Sequence, residues 1–356
     1  MKSHRRIVPR GIPDPLRSGM LIVALVALFA STAMPAAHAE PEAEGDVEAD
    51  ATAIDSVDFV DEFQSQEALE SQLDAYWTDE RLEQAEPMDM HDTGFDAGQV
   101  PEDTAEVIPE DAEGVAETHP EYPEGTDETS AQSTPVPRTV GRLFFTNSNG
   151  QDSSCSASAT AGAQGNTIIT AGHCVHGGDG GSFYGNFVFY PHYHNGPSSQ
   201  GAWYGAGAAT FNGWSQSGNY DYDQAFIQLQ PKDGQTIVQA VGGNGLVGGA
   251  GRAQSDNRIW GYPAADPYDG SLPYFCDSAA SARPNHSTDS QASCGFTGGA
   301  SGGPWQRDRI DENLGYTWAV TSRCAAESSG NCALTYLYAA PNPSAIFDLR
   351  DHASSL

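Results

Sequence analysis

Three short motifs in the second half of the sequence carry residue types that together can break an acyl bond. The run TAGHC contains His173, the run DQAFIQL begins with Asp223, and the run TGGASGGP contains Ser301. A serine hydroxyl becomes a nucleophile when a histidine removes its proton, and an acid behind the histidine orients the ring and stabilises the imidazolium. The motifs therefore predict acyl transfer with Ser301 as nucleophile, His173 as base and Asp223 as the orienting acid.

The order of these residues along the chain separates two classes of hydrolase. The residues around Ser301 also satisfy the pattern G-x-S-x-G, the nucleophile elbow of α/β-hydrolases such as lipases and esterases. That class requires the order serine, acid, histidine, and the only histidine after Ser301 is His352, close to the C-terminus. The region also lacks the alternating strands and long helices of a doubly wound sheet. Chain order therefore argues against an esterase of that class.

The motifs resemble those of the trypsin/chymotrypsin-like serine peptidases, in particular a secreted bacterial branch that includes glutamyl endopeptidase-like relatives. The resemblance covers about residues 139–356 and implies two six-stranded antiparallel β-barrels. In that family a cysteine beside the histidine bonds to one some twenty positions earlier. The resemblance therefore implies a disulfide between Cys155 and Cys174, next to His173.

The resemblance also assigns roles around the nucleophile and the acid. Glycines near a nucleophile allow a tight turn on which backbone N–H groups converge on a developing oxyanion. By family position these donors are the N–H groups of Gly299 and Ser301. Asp221 is a competitor for the acid, since it lies two residues before Asp223 on the same side. The family strand D-x-A-x-x-x-L has an alanine two positions after its acid, which favours Asp223.

Some positions depart from the family pattern, and others do not determine which substrate residue is preferred. Ala300 stands where trypsin-like enzymes carry the aspartate that binds the newly freed N-terminus, so we expect activation to unblock the site without forming that ion pair. By family position Gly295 lies at the floor of the substrate pocket, where it offers no charge to select Lys or Arg. Ser322 lies in the strand that pairs with substrate backbone. Its neighbour Arg323 leaves an acidic preference open beside a small or apolar one, although such an arginine more often faces solvent.

The six cysteines all follow residue 139, and their even number in an exported chain predicts three disulfides in an oxidising compartment. Nearness in sequence pairs Cys276 with Cys294 and Cys324 with Cys332, although other pairings stay open. No CxxC pair is present, so zinc is not expected. His192 and His194 have a spacing that could bind a metal, but a Tyr- and Gly-rich surface loop is favoured. We expect no metal and no cofactor.

The N-terminus has the pattern of an export signal over residues 1–39. Several arginines, among them the pair Arg5-Arg6, precede the apolar run MLIVALVALFA, and the small residues of Ala37-His38-Ala39 predict cleavage after Ala39. The apolar run is short for a membrane span of about 20 residues, and no second apolar run follows. The sequence therefore predicts a secreted, extracellular protein that is not held in a membrane.

Residues 40–138 carry a net charge of -29 out of -32 for the whole chain. This segment contains few large apolar side chains, and their burial cannot offset the entropy lost on folding. We therefore predict that it is a largely disordered acidic propeptide. One amphipathic helix is expected within residues 64–86, either docked on the mature domain or on a solvated spacer. The change in composition at Arg138 predicts processing there. A partner nucleic acid is disfavoured, because no basic patch exists to neutralise phosphates.

From residue 139 onward, short runs rich in β-branched and aromatic residues alternate with turns, which predicts an all-β domain over residues 139–356. These strands position the three motifs, and a short C-terminal helix is expected within residues 343–352. The sequence thus predicts a monomeric, secreted serine endopeptidase that acts on protein or peptide substrates and has its own propeptide as a partner. The alternative is a binding protein that keeps the fold without activity, although all three catalytic residue types are present.

Overall fold

The computed structural model describes residues 51–60, 65–89, 91–92, 116–125 and 137–356. The predicted export segment and its cleavage position, Ala39, lie outside these residues. Among the described helices, none is long and apolar enough to cross a membrane.

Strands dominate the described part of the chain, as the frequent β-branched residues and turns predict. The strands are, in chain order, β1 (Ile54–Asp58), β2 (Glu86–Pro87), β3 (His91–Asp92), β4 (Ala116–Thr118), β5 (Val140–Thr146), β6 (Asp152–Thr160), β7 (Thr167–Thr170), β8 (Gly185–Pro191), β9 (Trp203–Phe211), β10 (Ala225–Leu229), β11 (Gly245–Gly248), β12 (Arg258–Gly261), β13 (Tyr274–Asp277), β14 (Ala280–Ala282), β15 (Ser290–Ser293), β16 (Pro304–Arg307), β17 (Tyr316–Val320), β18 (Arg323–Ala326) and β19 (Cys332–Ala339). The helices are α1 (Gln66–Tyr76), α2 (Asp79–Gln84), α3 (Asn212–Ser215), α4 (Ile237–Val241) and α5 (Ile346–Ser354), and single 3₁₀ turns span Gly172–Cys174 and Tyr220–Tyr222.

Six strands close the first barrel in the order β5, β6, β7, β10, β9 and β8, with β8 pairing back to β5. Every pairing around the ring is antiparallel. Side chains such as Leu143, Ile169 and Phe226 are fully buried, because closure leaves one strand face inside and other elements cover parts of the outside. The predicted all-β fold is confirmed.

The second half of the domain consists of two sheets. One has the order β13, β12, β16, β17, β11 and β4, and the other has the order β14, β15, β19, β18 and β3. Isolated bridges between Gln254 and Ala280 and between Ala319 and Pro341 add pairings outside the named strands. Trp305 and Trp318 are fully buried in the core of this half and meet edge to face, with ring centroids 5.7 Å apart.

The C-terminal helix is present as α5, which begins slightly later than the sequence predicts. Its apolar residues Ile346 and Leu349 are buried in the hydrophobic cluster that also contains the core of the first barrel. The helix packs on β9 and β10 and so covers part of the outside of that barrel.

The described parts of the acidic segment are ordered and pair with the domain. The predicted helix is split into α1 and α2, with Ser65 capping the first and Thr78 capping the second. Leu69, Leu73 and Trp77 are buried against a cluster on the barrel surface that includes Phe144, Val188 and Tyr190.

Four strands of this segment join the sheets of the domain. β1 pairs with β9 and β2 pairs with β6 in the barrel, while β4 pairs with β11 and β3 pairs with β18 in the second half. Each of the three sheets therefore contains at least one strand from residues 40–138.

Candidate active site

His173 and Asp223 meet because their strands are neighbours. His173 lies in the 3₁₀ turn just after β7, and Asp223 lies just before β10, which pairs antiparallel with β7. His173 Nδ1 is 2.9 Å from Asp223 Oδ2, and the backbone N–H of His173 donates to Asp223 Oδ1 at 2.7 Å. Only 2% of His173 and 1% of Asp223 are exposed, so little water competes for this pair.

Asp223 accepts a further hydrogen bond, from a residue far away in the sequence. The hydroxyl of Ser322 donates to Asp223 Oδ2 at 2.6 Å, and Ser322 is itself buried. Asp221, the competing acid, is only partly buried and accepts a hydrogen bond from the Thr288 hydroxyl instead. Asp223 is thus the carboxylate that faces His173. The sequence placed Ser322 beside substrate and did not anticipate that its side chain holds the acid.

The turn that carries His173 is fixed by a disulfide and a tryptophan. Cys174 is bonded to Cys155 on β6, which ties the turn to the barrel wall. Gly172 packs flat on Trp214, since a Cβ at this position would lie 2.9 Å from the indole. The ring of His173 meets the ring of Trp214 edge-on, with centroids 6.2 Å apart.

Ser301 lies on a glycine turn that only small residues can form. Gly299 and Gly302 have φ values of +91° and +79°, in the left-handed region. A Cβ on Gly302 would lie 2.0 Å from the Thr170 hydroxyl oxygen. Ser156 holds the turn from β6, because its N–H donates to the Ser301 carbonyl at 2.8 Å and its hydroxyl donates to the Gly299 carbonyl at 2.8 Å.

The N–H group of Gly299 donates a hydrogen bond to a carbonyl oxygen from another segment of the chain. It donates to the carbonyl of Met88 at 2.8 Å. The Ser301 hydroxyl approaches the same oxygen at 3.5 Å. His173 Nε2 is buried and has no hydrogen-bond partner among the described residues. The space in front of Ser301 therefore binds a main-chain carbonyl. Met88 supplies this carbonyl, and no sequence motif predicts its role.

Met88 belongs to a short stretch that crosses the site, which we term the crossing segment (residues 86–89). Its first two residues, in β2, pair with Ser153 and Ser154, and the Met88 N–H donates to the Ser154 carbonyl at 2.9 Å. Further along the chain, β3 pairs with β18 at Cys324 and the next residue. No side-chain motif marks this stretch, and Met88 meets the turn at Ser301 through its backbone carbonyl.

Asp89 of the crossing segment fills a narrow space beside the nucleophile turn. A Cβ on Gly298 would lie 2.9 Å from the Cβ of Asp89. The carboxylate of Asp89 is 3.4 Å from Cys332 Sγ and 3.7 Å from Cys324 Sγ. A disulfide bond joins these two cysteines, so Asp89 lies between the nucleophile turn and this disulfide.

The loop before Ser301 is closely packed at the position predicted for the pocket floor. Tyr268 donates its hydroxyl proton to the Gly295 carbonyl at 3.0 Å, and Phe296 is buried. A Cβ on Gly295 would lie 3.0 Å from the Leu334 carbonyl oxygen. There is little room for a side chain at Gly295 itself.

Arg323 does not face solvent, as an arginine at this position more often does. It is 3% exposed and forms an ion pair with Asp289. Its guanidinium carbon lies 4.0 Å from the ring centroid of Tyr220. The same Asp289 carboxylate also pairs with the buried Arg283, so Arg323 is held inside the domain and has little access to a substrate side chain.

Burial sets the protonation of polar rings near the site. Burial raises the pKa of Tyr262, whose N–H donates to the Ser156 hydroxyl oxygen at 2.8 Å. Burial lowers the pKa of His176, which follows the His173 turn and accepts the Gly178 N–H at Nδ1 at 3.0 Å. Both rings are therefore held in their neutral forms.

Three disulfides are formed, Cys155–Cys174, Cys276–Cys294 and Cys324–Cys332, and the described residues contain no free cysteine. Within the described ranges, two groups of side chains have metal-ligand spacing, and both consist largely of these bonded cysteines. A disulfide sulfur is not a thiolate, so neither group is a good metal site. His192 and His194 belong to neither group.

The predicted processing position lies at the edge of the domain. Thr139 is buried, with its hydroxyl donating to the Asn313 carbonyl at 3.0 Å, while the N–H of Arg138 donates to the Asn313 side chain at 3.2 Å. Ala300 is buried against Gly261, where a Cβ would lie 3.0 Å from the Ala300 Cβ. An alanine here cannot bind a charged N-terminus.

The closed first barrel, the two further sheets and the buried His173–Asp223 pair define a protein of the chymotrypsin-like serine peptidase class. Neither a family model nor a curated protein sequence matches the chain. A solved structure of the thermostable serine protease AL20, from an extremophilic microorganism, shares 32% identity over 61% of this chain and 97% of its own, with a TM-score of 0.57.

The protease Anisep from Arthrobacter nicotinovorans shares 30% identity over 63% of this chain and 99% of its own, also with a TM-score of 0.57. A Glu endopeptidase aligns at 17% identity over 67% of this chain and 98% of its own, with a TM-score of 0.48, which is too distant to bear on substrate preference. The chain belongs to the trypsin/chymotrypsin-like serine peptidases, and bacterial serine proteases are among the structures it resembles.

Proposed function

We propose that this protein is a secreted serine endopeptidase that hydrolyses protein or peptide substrates through Ser301, His173 and Asp223. One observation carries the proposal. The Gly299 N–H and the Ser301 hydroxyl converge on a peptide carbonyl oxygen, beside a buried His173–Asp223 pair. Acyl transfer requires these groups, and two of the similar structures, each at least 30% identical to this chain, are of proteases.

The mechanism assigns one task to each group. His173 Nε2 removes the proton from Ser301 as the hydroxyl oxygen attacks the carbonyl carbon, and Asp223 holds the ring by Nδ1 and stabilises the imidazolium. The N–H groups of Gly299 and Ser301 hold the oxyanion of the tetrahedral intermediate. His173 then protonates the leaving amine, and water repeats the sequence to release the acyl group.

The role of the substrate contacts follows the same geometry. We assign Gly295 to the floor of the substrate pocket, and we assign the backbone at Ser322 to the strand beside which the substrate lies. The Ser322 side chain serves Asp223 instead. With Arg323 paired to Asp289, a small or apolar residue before the scissile bond is the better candidate.

The chain organisation belongs to the same proposal. Residues 1–39 are the export signal, residues 40–138 are a propeptide, and residues 139–356 are the protease domain, which acts as a monomer outside the cell. The three disulfides support an oxidising compartment. Cleavage after Arg138 frees the domain without the ion pair that trypsin-like enzymes form, because Ala300 supplies no carboxylate.

The test combines a fluorophosphonate serine probe with cleavage of a peptide library, using the protein processed at Arg138. Wild type should label and cleave, and Ser301→Ala should do neither. Ser158→Ala is the matched control, since Ser158 is buried and its hydroxyl has no partner among the described residues. It should behave as wild type. A processed wild type that neither labels nor cleaves would favour the binding protein, and cleavage of esters alone would favour an esterase.

A further inference from the structure

The crossing segment lies where an acyl group has to bind for the proposed reaction. Its Met88 carbonyl accepts the Gly299 N–H at 2.8 Å, and Asp89 lies beside Gly298. We propose that residues 86–89 are a built-in inhibitor, with the Met88 carbonyl in the oxyanion hole and the Asp89 side chain in the adjoining pocket. This inference rests on the proposed peptidase function, and it goes further by naming the residues that block the site.

The geometry explains how a peptide bond can occupy the site and stay intact. The Ser301 hydroxyl lies 3.5 Å from the Met88 carbonyl oxygen and donates towards it. For attack, the hydroxyl must instead give its proton to His173 and direct a lone pair at the carbonyl carbon. His173 Nε2 has no hydrogen-bond partner among the described residues. The nucleophile and its base are thus uncoupled while the crossing segment is bound.

The side chain of Asp89 fits a space beside the nucleophile turn, so the crossing segment binds specifically and does not only block the site sterically. Its side chain fits between Gly298 and the Cys324–Cys332 disulfide, with its carboxylate 3.4 Å from Cys332 Sγ. A longer side chain has to displace one of these walls. The space that holds Asp89 is therefore short, and the crossing segment fills it.

Contacts on both sides hold the crossing segment in place. Before it, Leu69 and Leu73 of α1 and Leu82 of α2 are buried on the barrel. At its start the Met88 N–H donates to the Ser154 carbonyl, and after it β3 pairs with β18. Such tethering keeps the local concentration of an inhibitory peptide high, so few direct contacts are enough.

The experiment measures how fast a fluorescent fluorophosphonate labels the uncleaved chain, read from the gel band of full size. Met88→Pro removes the N–H that the Ser154 carbonyl accepts, and it should raise the labelling rate at least about tenfold. Met88→Leu keeps this N–H and should label at the slow wild-type rate. Asp89→Lys is too long for its space and should also label faster, whereas Asp89→Asn keeps the size and should not.

Two pairs of variants keep the outcome decisive if one of them folds poorly. Faster labelling of the Pro or Lys variant than of its partner supports the inhibitor. Equal labelling within both pairs, together with rapid labelling of wild type cleaved after Arg138, would overturn the proposed inhibitor role of residues 86–89. The proposed peptidase function would then still stand. Absence of labelling in the cleaved wild type would overturn the proposed peptidase function itself.

Discussion

Replacing Ser322 with alanine tests how the buried carboxylate of Asp223 is held. Asp223 Oδ2 has two donors, His173 Nδ1 at 2.9 Å and the Ser322 hydroxyl at 2.6 Å. Both side chains of the Ser322–Asp223 pair are buried, so water cannot replace the missing donor. A hydrogen bond to a charged group contributes about 1.5–3 kcal/mol, and every 1.4 kcal/mol corresponds to about a tenfold change in rate. We expect Ser322→Ala to lower kcat by about tenfold or more, through misplacement of the carboxylate and of His173.

The assay is steady-state peptide cleavage by the processed protein, normalised by titration of reactive Ser301. KM should change little, because the Ser322 side chain points at Asp223 and not at the peptide. Ser158→Ala is the matched control, since it removes an equally buried hydroxyl that has no partner within the described ranges.

A double-mutant cycle separates positioning of the acid from a general loss of structure. In an Asp223→Asn background the interaction with Ser322 is already disturbed, so Ser322→Ala should cost clearly less than in wild type. An unchanged kcat for the single variant, or a full additional loss in the double variant, would refute the reasoning.

Further predictions concern docking, the nucleophile turn and pH. Leu73→Ala should weaken the docking of α1 by about 2–5 kcal/mol, because a fully buried leucine is lost, and hydrogen exchange within the helix should speed up. Gly302→Ala should lower activity by about a hundredfold, since its Cβ would collide with Thr170 at a left-handed φ, measured by peptide cleavage. The pKa of His176 lies below its ordinary value of 6.5 because of burial, so the folded protein binds fewer protons than the unfolded chain there. The stability that this gives is fully present above pH 6.5 and is lost as the pH falls through the lowered pKa; denaturant midpoints should drop less for His176→Gln than for wild type on acidification.

Each of these changes has a matched control. Glu70→Ala alters an exposed position of the same helix and should leave hydrogen exchange unchanged. Gly180→Ala tests a glycine with a similar φ of +72° but open space around it, so activity should persist. Ser217→Ala changes an exposed position that carries no titratable group and should leave the pH dependence of stability as in wild type. Effects of equal size in a variant and its control would count against the stated cause.

The sequence was informative wherever side-chain chemistry or β-branched residues carry the signal. The strands β5, β10 and β12 correspond closely to apolar runs, and the motifs led to His173 and Ser301. The strands β6 and β9 carry a weaker signal in the sequence, because they consist mainly of Ser, Ala and Gly, which have no strong strand preference. These small residues are nonetheless buried in the barrel, where tight closure favours them.

Long-range partners and backbone recognition escaped prediction for a different reason. Ser322 lies 99 residues from Asp223, and no local pattern relates the two. Met88 is bound by its carbonyl, a group that every residue has, so its identity carries little information. Composition also does not predict how the acidic segment docks. The docking depends on a few buried side chains and short strand pairings within a highly charged stretch.

The sharing of strands between the acidic segment and every sheet of the domain has a consequence for folding. If the segment is removed after folding, each sheet of the processed domain loses pairings that it had when the chain first folded. We expect the processed domain to persist chiefly because its unfolding barrier is high, and to refold slowly once denatured. The rate of unfolding, more than the equilibrium free energy, would then set how long the processed domain stays folded.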